Sequence, residues 1–213
     1  MLDFFNQGGF MMWILLAWSV IGLAFIIERL FSLWLRFRID WVGFKQRIRG
    51  YVAEHNYTSA IELCNSRPDH PLSRVLKAGL LRANKSDKEI QRAMEEEMIR
   101  TTPSVERNID YVAMAANVAT LLGLLGTIIG LIMAFKGVSG ASAQARQEHL
   151  ATGISVAMYT TAFGLMIAIP FLVSHYWLNR KGTRVVERIE EASIELLNHI
   201  AAQRSSYRRD RAA

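Results

Sequence analysis

The chain has 213 residues, 51% of them hydrophobic, and a net charge of +6. Its apolar residues fall in long blocks, which excludes both an ordinary soluble domain and a disordered chain. A single cysteine, Cys64, excludes a disulfide framework, and a buried free thiol is the expected role for it.

Three blocks are free of charge, taking His175 as neutral: residues 4–27, 111–135 and 150–178. A hydrocarbon core of about 30 Å needs about 20 helical residues, so each can span a bilayer. In chain order, residues 1–9 form a short N-terminal segment and residues 10–30 the first span. Trp13 and Trp18 lie near one boundary, and Glu28, Arg29, Trp34 and Arg36 mark the other. With one internal glycine, Gly22, and little polarity, this span is expected to face lipid. The opening MLDFFNQGG has an acidic residue and no basic stretch, so it reads as an uncleaved anchor.

Residues 31–108 are soluble in composition and helical in pattern. Ala60, Leu63 and Cys64, then Leu72, Val75, Leu76, Gly79 and Leu80, recur at helical spacing around a turn at Asp69, His70 and Pro71. Ser86 and Glu89 form a capping box that starts a charged helix. Thr102 and Pro103 either end that helix or kink one long helix that continues into the second span. Glu95, Glu96 and Glu97 are consecutive, so they point in different directions and read as a solvated face and not as a metal site.

The second span, residues 109–135, contains LLGLLGTIIGLIMAF. Gly123, Gly126 and Gly130 share one helix face, which lets another backbone approach closely, and Thr120 and Thr127 lie beside that strip. After a loop at 136–149 comes the third span, 150–178. Its own strip of small residues is Gly153, Ala157, Thr160 or Thr161, Gly164 and Ala168. Two such faces should pack as a tight hairpin, and plain helix packing by itself accounts for many of these residues. Pro170 removes a backbone donor and predicts a bend. From 179 to 203 a helix continues with Val185, Ile189, Ala192, Leu196 and Ile200 as a stripe for packing or oligomer contact. Residues 204–213 are basic, and disorder is expected there; Arg204, Arg208, Arg209 and Arg211 read as a solvated tail and not as a nucleic-acid reader, for want of interleaved aromatics.

Basic residues set the orientation. Only Lys136 and Arg146 lie between the second and third blocks, and none precedes the first. The N-terminus and the 136–149 loop are therefore expected outside, with 31–108 and the C-terminal part inside. No P-loop, dinucleotide turn, zinc-ligand spacing or Ser/His/Asp arrangement is present, so the chain is not expected to be an enzyme or to hold a metal or cofactor. Neither the second nor the third block contains Asp or Glu. Proton carriers within membranes are normally carboxylates or histidines, so a titrating group would have to come from another chain.

The stretches NIDYVAMAANVATLLGLLGTIIGLIMAF and GISVAMYTTAFGLMIAIP, with HPLSRVLKAGL on the inner side, resemble the MotA/TolQ/ExbB proton-channel family, its ExbB/TolQ-like branch in particular. The resemblance implies an all-α polytopic fold, three transmembrane helices extended into a cytoplasmic helical bundle with the N-terminus periplasmic, in the bacterial inner membrane. It implies an ion-driven motor in which a homo-oligomer, a pentamer, encloses a dimer of a single-span ExbD/TolR-like partner that carries the membrane aspartate. A TonB/TolA-like or gliding effector would be driven by it. By the same resemblance Thr127 and Thr161 line the ion passage, with Thr160, Thr120 and Ser155 beside them, and the glycine strips with Pro170 serve helix packing, including the close packing of the pentamer. Two residues depart from the family pattern: Thr120 stands where proline is frequent, and Val156 where ExbB proteins of iron uptake often have glutamate. That leaves envelope maintenance or gliding beside TonB-like transport as the work done. The alternatives are a sodium-driven stator of the same fold and a passive membrane scaffold.

Overall fold

The computed structural model of the protein describes residues 8–31, 40–138 and 142–210, with side chains as far as residue 205. Trp34, Arg36 and Arg211, and the side chains of Arg208 and Arg209, lie outside that description. Among the described residues there are seven α-helices and no strand: α1 Phe10–Phe31, α2 Trp41–Ala53, α3 Tyr57–Asn65, α4 Pro71–Leu80, α5 Asp87–Glu106, α6 Ile109–Val138 and α7 Ala143–Asp210. Three stretches, in α1, α6 and α7, are long and apolar enough to cross a membrane. The chain divides into two compact units, Met1–Leu30 with Asn108–Asn179, and Phe31–Arg107 with Arg180–Ala213.

The second unit is a helical bundle whose starts are set by local chemistry. Asp40 Oδ1 accepts from the Gly43 N–H at 3.2 Å and Asn56 Oδ1 from the Ser59 N–H at 3.1 Å, opening α2 and α3. At α4 the cap is His70, whose Nδ1 accepts from the Leu72 N–H at 3.2 Å while Pro71 takes the first helical position. At α5 the Ser86 N–H and hydroxyl both donate to Glu89 Oε2, at 3.1 and 2.7 Å. The hydroxyl bond, ahead of the backbone bond, holds the Glu89 carboxyl below its usual range. A depressed carboxylate favours the folded state above its ordinary pKa of about 4.3, and that contribution is lost as pH falls through the lowered value. Helicity at the start of α5, followed by amide exchange against pH, should therefore decline on acidification in the wild type. In Glu89→Gln it should be lower at neutral pH and flat.

The bundle core joins Phe44, Ile48 and Val52 of α2, Leu72, Val75 and Leu76 of α4, and Ile90 and Met94 of α5 with Ile189, Ala192, Leu196 and Ile200 of α7. The α7 stripe therefore packs inside its own chain, which decides between the two uses the spacing allowed. Gly79 makes room for this layer, since a Cβ there would lie 2.6 Å from Met94 Sδ and 3.5 Å from Leu196 Cδ2. Cys64 is buried and burial pushes its thiol up to about 12, so it is an inert core residue.

Four expectations need correction. Pro103 neither ends nor starts a helix: α5 runs through it to Glu106, and the break falls at Arg107 and Asn108, where Asn108 has φ 63°. Asparagine tolerates that left-handed conformation better than most residues. The 136–149 loop is shorter than expected, because α6 continues to Val138 and α7 begins at Ala143 with helix-favouring Ala, Gln and Arg residues. The segment after Gln203 is helical as far as Asp210, and Arg204 is not merely solvated. Its guanidinium pairs with Asp87 at 3.0 Å and donates to the Ala83 carbonyl, fastening this helix end to the start of α5. Finally, α1 is not simply lipid-facing. Trp18 Nε1 donates to the Ala115 carbonyl at 2.9 Å, Phe25 stacks on Tyr111 at 5.5 Å, and Gly22 accommodates the Phe171 ring.

Candidate functional site

The membrane unit is organised by a seam between α6 and α7. On α6 the buried positions from Ala115 onward are small, and from Ala116 they recur every three or four residues: Ala116, Ala119, Gly123, Gly126, Gly130 and Ala134. On α7 the matching series is Gly153, Ala157, Thr160, Gly164 and Ala168. The two series meet. A Cβ on Gly130 would lie 2.7 Å from both Ala157 N and Gly153 O, one on Gly153 2.6 Å from Ala134 Cα, and one on Gly164 2.8 Å from Ala119 O. These are main-chain approaches that no side chain would allow, and dispersion between closely apposed helices is what holds such a seam where lipid supplies no hydrophobic driving force. These seam glycines are filled from within one chain, where the family resemblance implied a share in packing between copies.

The hydroxyls of the site fall in different places around this seam. Thr160 is fully buried: it occupies the notch left by Gly126, and its Oγ1 donates to the Val156 and Ala157 carbonyls, each at 3.0 Å. Enclosed and locally bonded, it is a packing residue, which corrects its placement on a passage. Thr161, half-buried, reaches across the seam, and its Oγ1 donates to the Gly123 carbonyl at 3.2 Å. On α6, Thr127 is half-buried and bonds back to the Leu124 carbonyl, while Thr120 is exposed and bonds back to Ala116 at 3.2 Å. Seven residues apart, these two lie within about 20° of each other on one side of the helix. Ser155 is half-buried and, six residues from Thr161, stands about 120° away around α7. Pro170 lies inside α7 without ending it, and its carbonyl accepts from the Ser174 hydroxyl at 2.8 Å.

Two consequences follow. The seam is closed along its length, so an ion cannot pass between α6 and α7 of one chain. The hydroxyls left at the edge of the seam are Thr120, Thr127 and Thr161, beside a broad exposed apolar face that includes Leu121, Leu124, Leu125, Ile128 and Leu131. Sequence reasoning missed the contacts that α1 makes. Gly22 was the available signal, since an isolated small residue in an apolar helix marks a place where something large packs, here Phe171.

Residues 67–191 match the MotA/TolQ/ExbB proton channel family, over half of the chain. The chain belongs to that family. Members differ in what they are named for, and this chain is similar to several. It is 44% identical over 73 residues to the Biopolymer transport protein exbB1 of Vibrio cholerae serotype O1, covering 34% of this chain and 32% of that one. It is 39% identical over 94 residues to the Tol-Pal system protein TolQ of Haemophilus influenzae, covering 44% and 40%. The matched stretches thus span well under half the length of either relative. The structure of C. jejuni MotAB superimposes with a TM-score of 0.62 at 20% identity, covering 83% of this chain and 68% of that one, a likeness of fold. As a MotA/TolQ/ExbB family member the chain is an all-helical membrane protein of a channel family. The family match includes all of α4 and α5, the whole seam, and α7 as far as the bundle stripe.

Proposed function

We propose that this chain is the multi-span subunit of an ion-driven stator in the bacterial inner membrane, with its N-terminus outside and its bundle and C-terminus inside. Copies of the chain, five by the family resemblance, would surround two copies of a single-span partner of the ExbD/TolR type. Mechanical work on the cell envelope would be the output, by the family resemblance; the relatives are named for biopolymer transport and for the Tol-Pal system. The observation that carries this reading is the closed seam with hydroxyls at its edge, in spans that hold no carboxylate of their own between residues 111–135 and 150–174. Such a wall can solvate a proton carrier but cannot be one.

In this mechanism a partner aspartate, neutralised by a proton from the outer side, moves along the edge formed by Thr127 and Thr161 and releases the proton inward. Each hydroxyl can give up its bond to a helix carbonyl and donate instead to the aspartate once it has released its proton, so the carboxylate is met by a donor already in place. One charge crossing 100 mV delivers roughly 2.3 kcal/mol, which biases a step and requires several protons for larger loads. Thr120 sits one face-repeat earlier and would extend the wall.

The test uses the chain co-purified with its single-span partner and reconstituted in liposomes, with an internal pH dye. Thr161→Val and Thr127→Val keep the side-chain volume and delete the donor. A lost charge-assisted bond of about 1.5–3 kcal/mol corresponds to roughly a ten- to hundred-fold fall in proton flux. Unchanged flux in both variants, with the complex intact, would remove these residues from the pathway; absence of flux in the wild type would favour a scaffold.

A further inference from the structure

We infer that the helical bundle carries a binding site for a small oxyanion, a carboxylate or phosphate compound, in a depression lined by Asn65, Ser73, Arg74 and Lys77. The depression is about 290 Å³ and is formed by the end of α3, one face of α4 and Glu97 of α5. It is distinct from the seam and plays no part in the proposed proton path.

Three observations carry the assignment. First, Ser73 lines the depression yet is only 1% exposed, and its Oγ has no hydrogen-bond partner. Most buried hydroxyls in folded proteins are satisfied by protein, water or an ion, so this one is a place where a ligand or solvent atom is expected. Second, positive charge is left over. Glu97 is engaged by Arg74 at 2.6 Å, whereas Lys77, one turn along α4 from Ser73 and therefore on the same face, forms no ion pair among the described residues. Third, the Lys77 charge acts inward: it draws down the titration of Cys64, another wall residue, against the larger upward effect of burial. A water molecule could satisfy Ser73 but would leave Lys77 without a counter-charge. An oxyanion satisfies both, with the Asn65 amide and the remaining N–H groups of Arg74 as further donors. Pro68 and Leu81 offer apolar wall for a short carbon skeleton.

The experiment is calorimetric titration of the full-length chain in nanodiscs with inorganic phosphate and, separately, acetate, beside thermal melts. Saturable binding of at least one probe is expected, weakened about ten- to hundred-fold in Lys77→Met and less in Ser73→Ala. Without any probe, Ser73→Ala should melt at or above the wild-type temperature, because it removes a hydroxyl that has no partner. Binding that Lys77→Met leaves unchanged would overturn the assignment. So would a lack of saturation by either probe, or tight binding of an acidic peptide that phosphate cannot displace. If Lys77→Met does not fold, Asn65→Ala and Ser73→Ala carry the same comparison, and wild-type affinity in both again overturns it.

Discussion

Replacing Gly130 by alanine should force α6 and α7 apart. The new methyl would stand 2.7 Å from Ala157 N and Gly153 O and 2.9 Å from Ala157 Cβ. Two of those three neighbours are main chain, so no rotamer change can relieve the clash and the helices themselves must move. Overpacking of this kind costs about 1–3 kcal/mol for a small increment, and Gly130→Val should cost more. Because Thr161 donates to the Gly123 carbonyl across the same seam, separation should also break that bond and displace the edge hydroxyls. The expected result is a lower unfolding midpoint in detergent together with a loss of proton flux from the reconstituted complex. Gly50→Ala is the control. A Cβ there meets nothing within 4 Å, and alanine in a helix interior is favoured by about 0.5–1 kcal/mol, so that variant should be slightly stabilised. Gly130→Ala with wild-type stability and flux would mean that the seam is not held this close.

Leu196→Ala should destabilise the bundle by about 2–5 kcal/mol, the range for emptying a fully packed leucine site. Leu196 is 4% exposed and belongs to the core where α7 meets α2, α4 and α5. Ile194, two residues away on the same helix, is 52% exposed, and Ile194→Ala should change stability by no more than about 0.5 kcal/mol. Amide exchange of α2 and α4 in the full-length chain separates the two outcomes: protection should fall in Leu196→Ala and persist in Ile194→Ala. Equal effects would indicate that the α7 stripe is covered by something other than its own bundle.

The elements that these two substitutions probe differ in how plainly the sequence announces them. The existence of three spans followed from length alone, and the pairing of the two strips followed from their spacing, because glycines three and four apart can do little else than admit a neighbouring backbone. The bundle helices were legible where local chemistry is strong, as at His70 with Pro71 and at Ser86 with Glu89. What could not be read was which side of the seam a hydroxyl takes. Thr160 and Thr161 are adjacent, but about 100° of helix rotation places the first inside the notch of Gly126 and the second across from Gly123, and no sequence signal separates them. Arg204 was misjudged for a similar reason: its counter-charge, Asp87, lies 117 residues away in the chain. The start of the second span at 109 is legible from the charge pattern, but Pro103 does not mark the break between the helices, and the left-handed Asn108 that does leaves only a faint trace in a sequence.

The short connection between α6 and α7 bears on the order of events in biogenesis. Only residues 139–142 separate two helices that fill each other's notches from Ala119 to Gly153. Contacts so local in the chain form early, and helices in a membrane associate after they insert. The hairpin can therefore be complete as soon as the chain has inserted. A seam defect such as Gly130→Ala should then show itself in the yield of newly made chains as well as in their stability once folded.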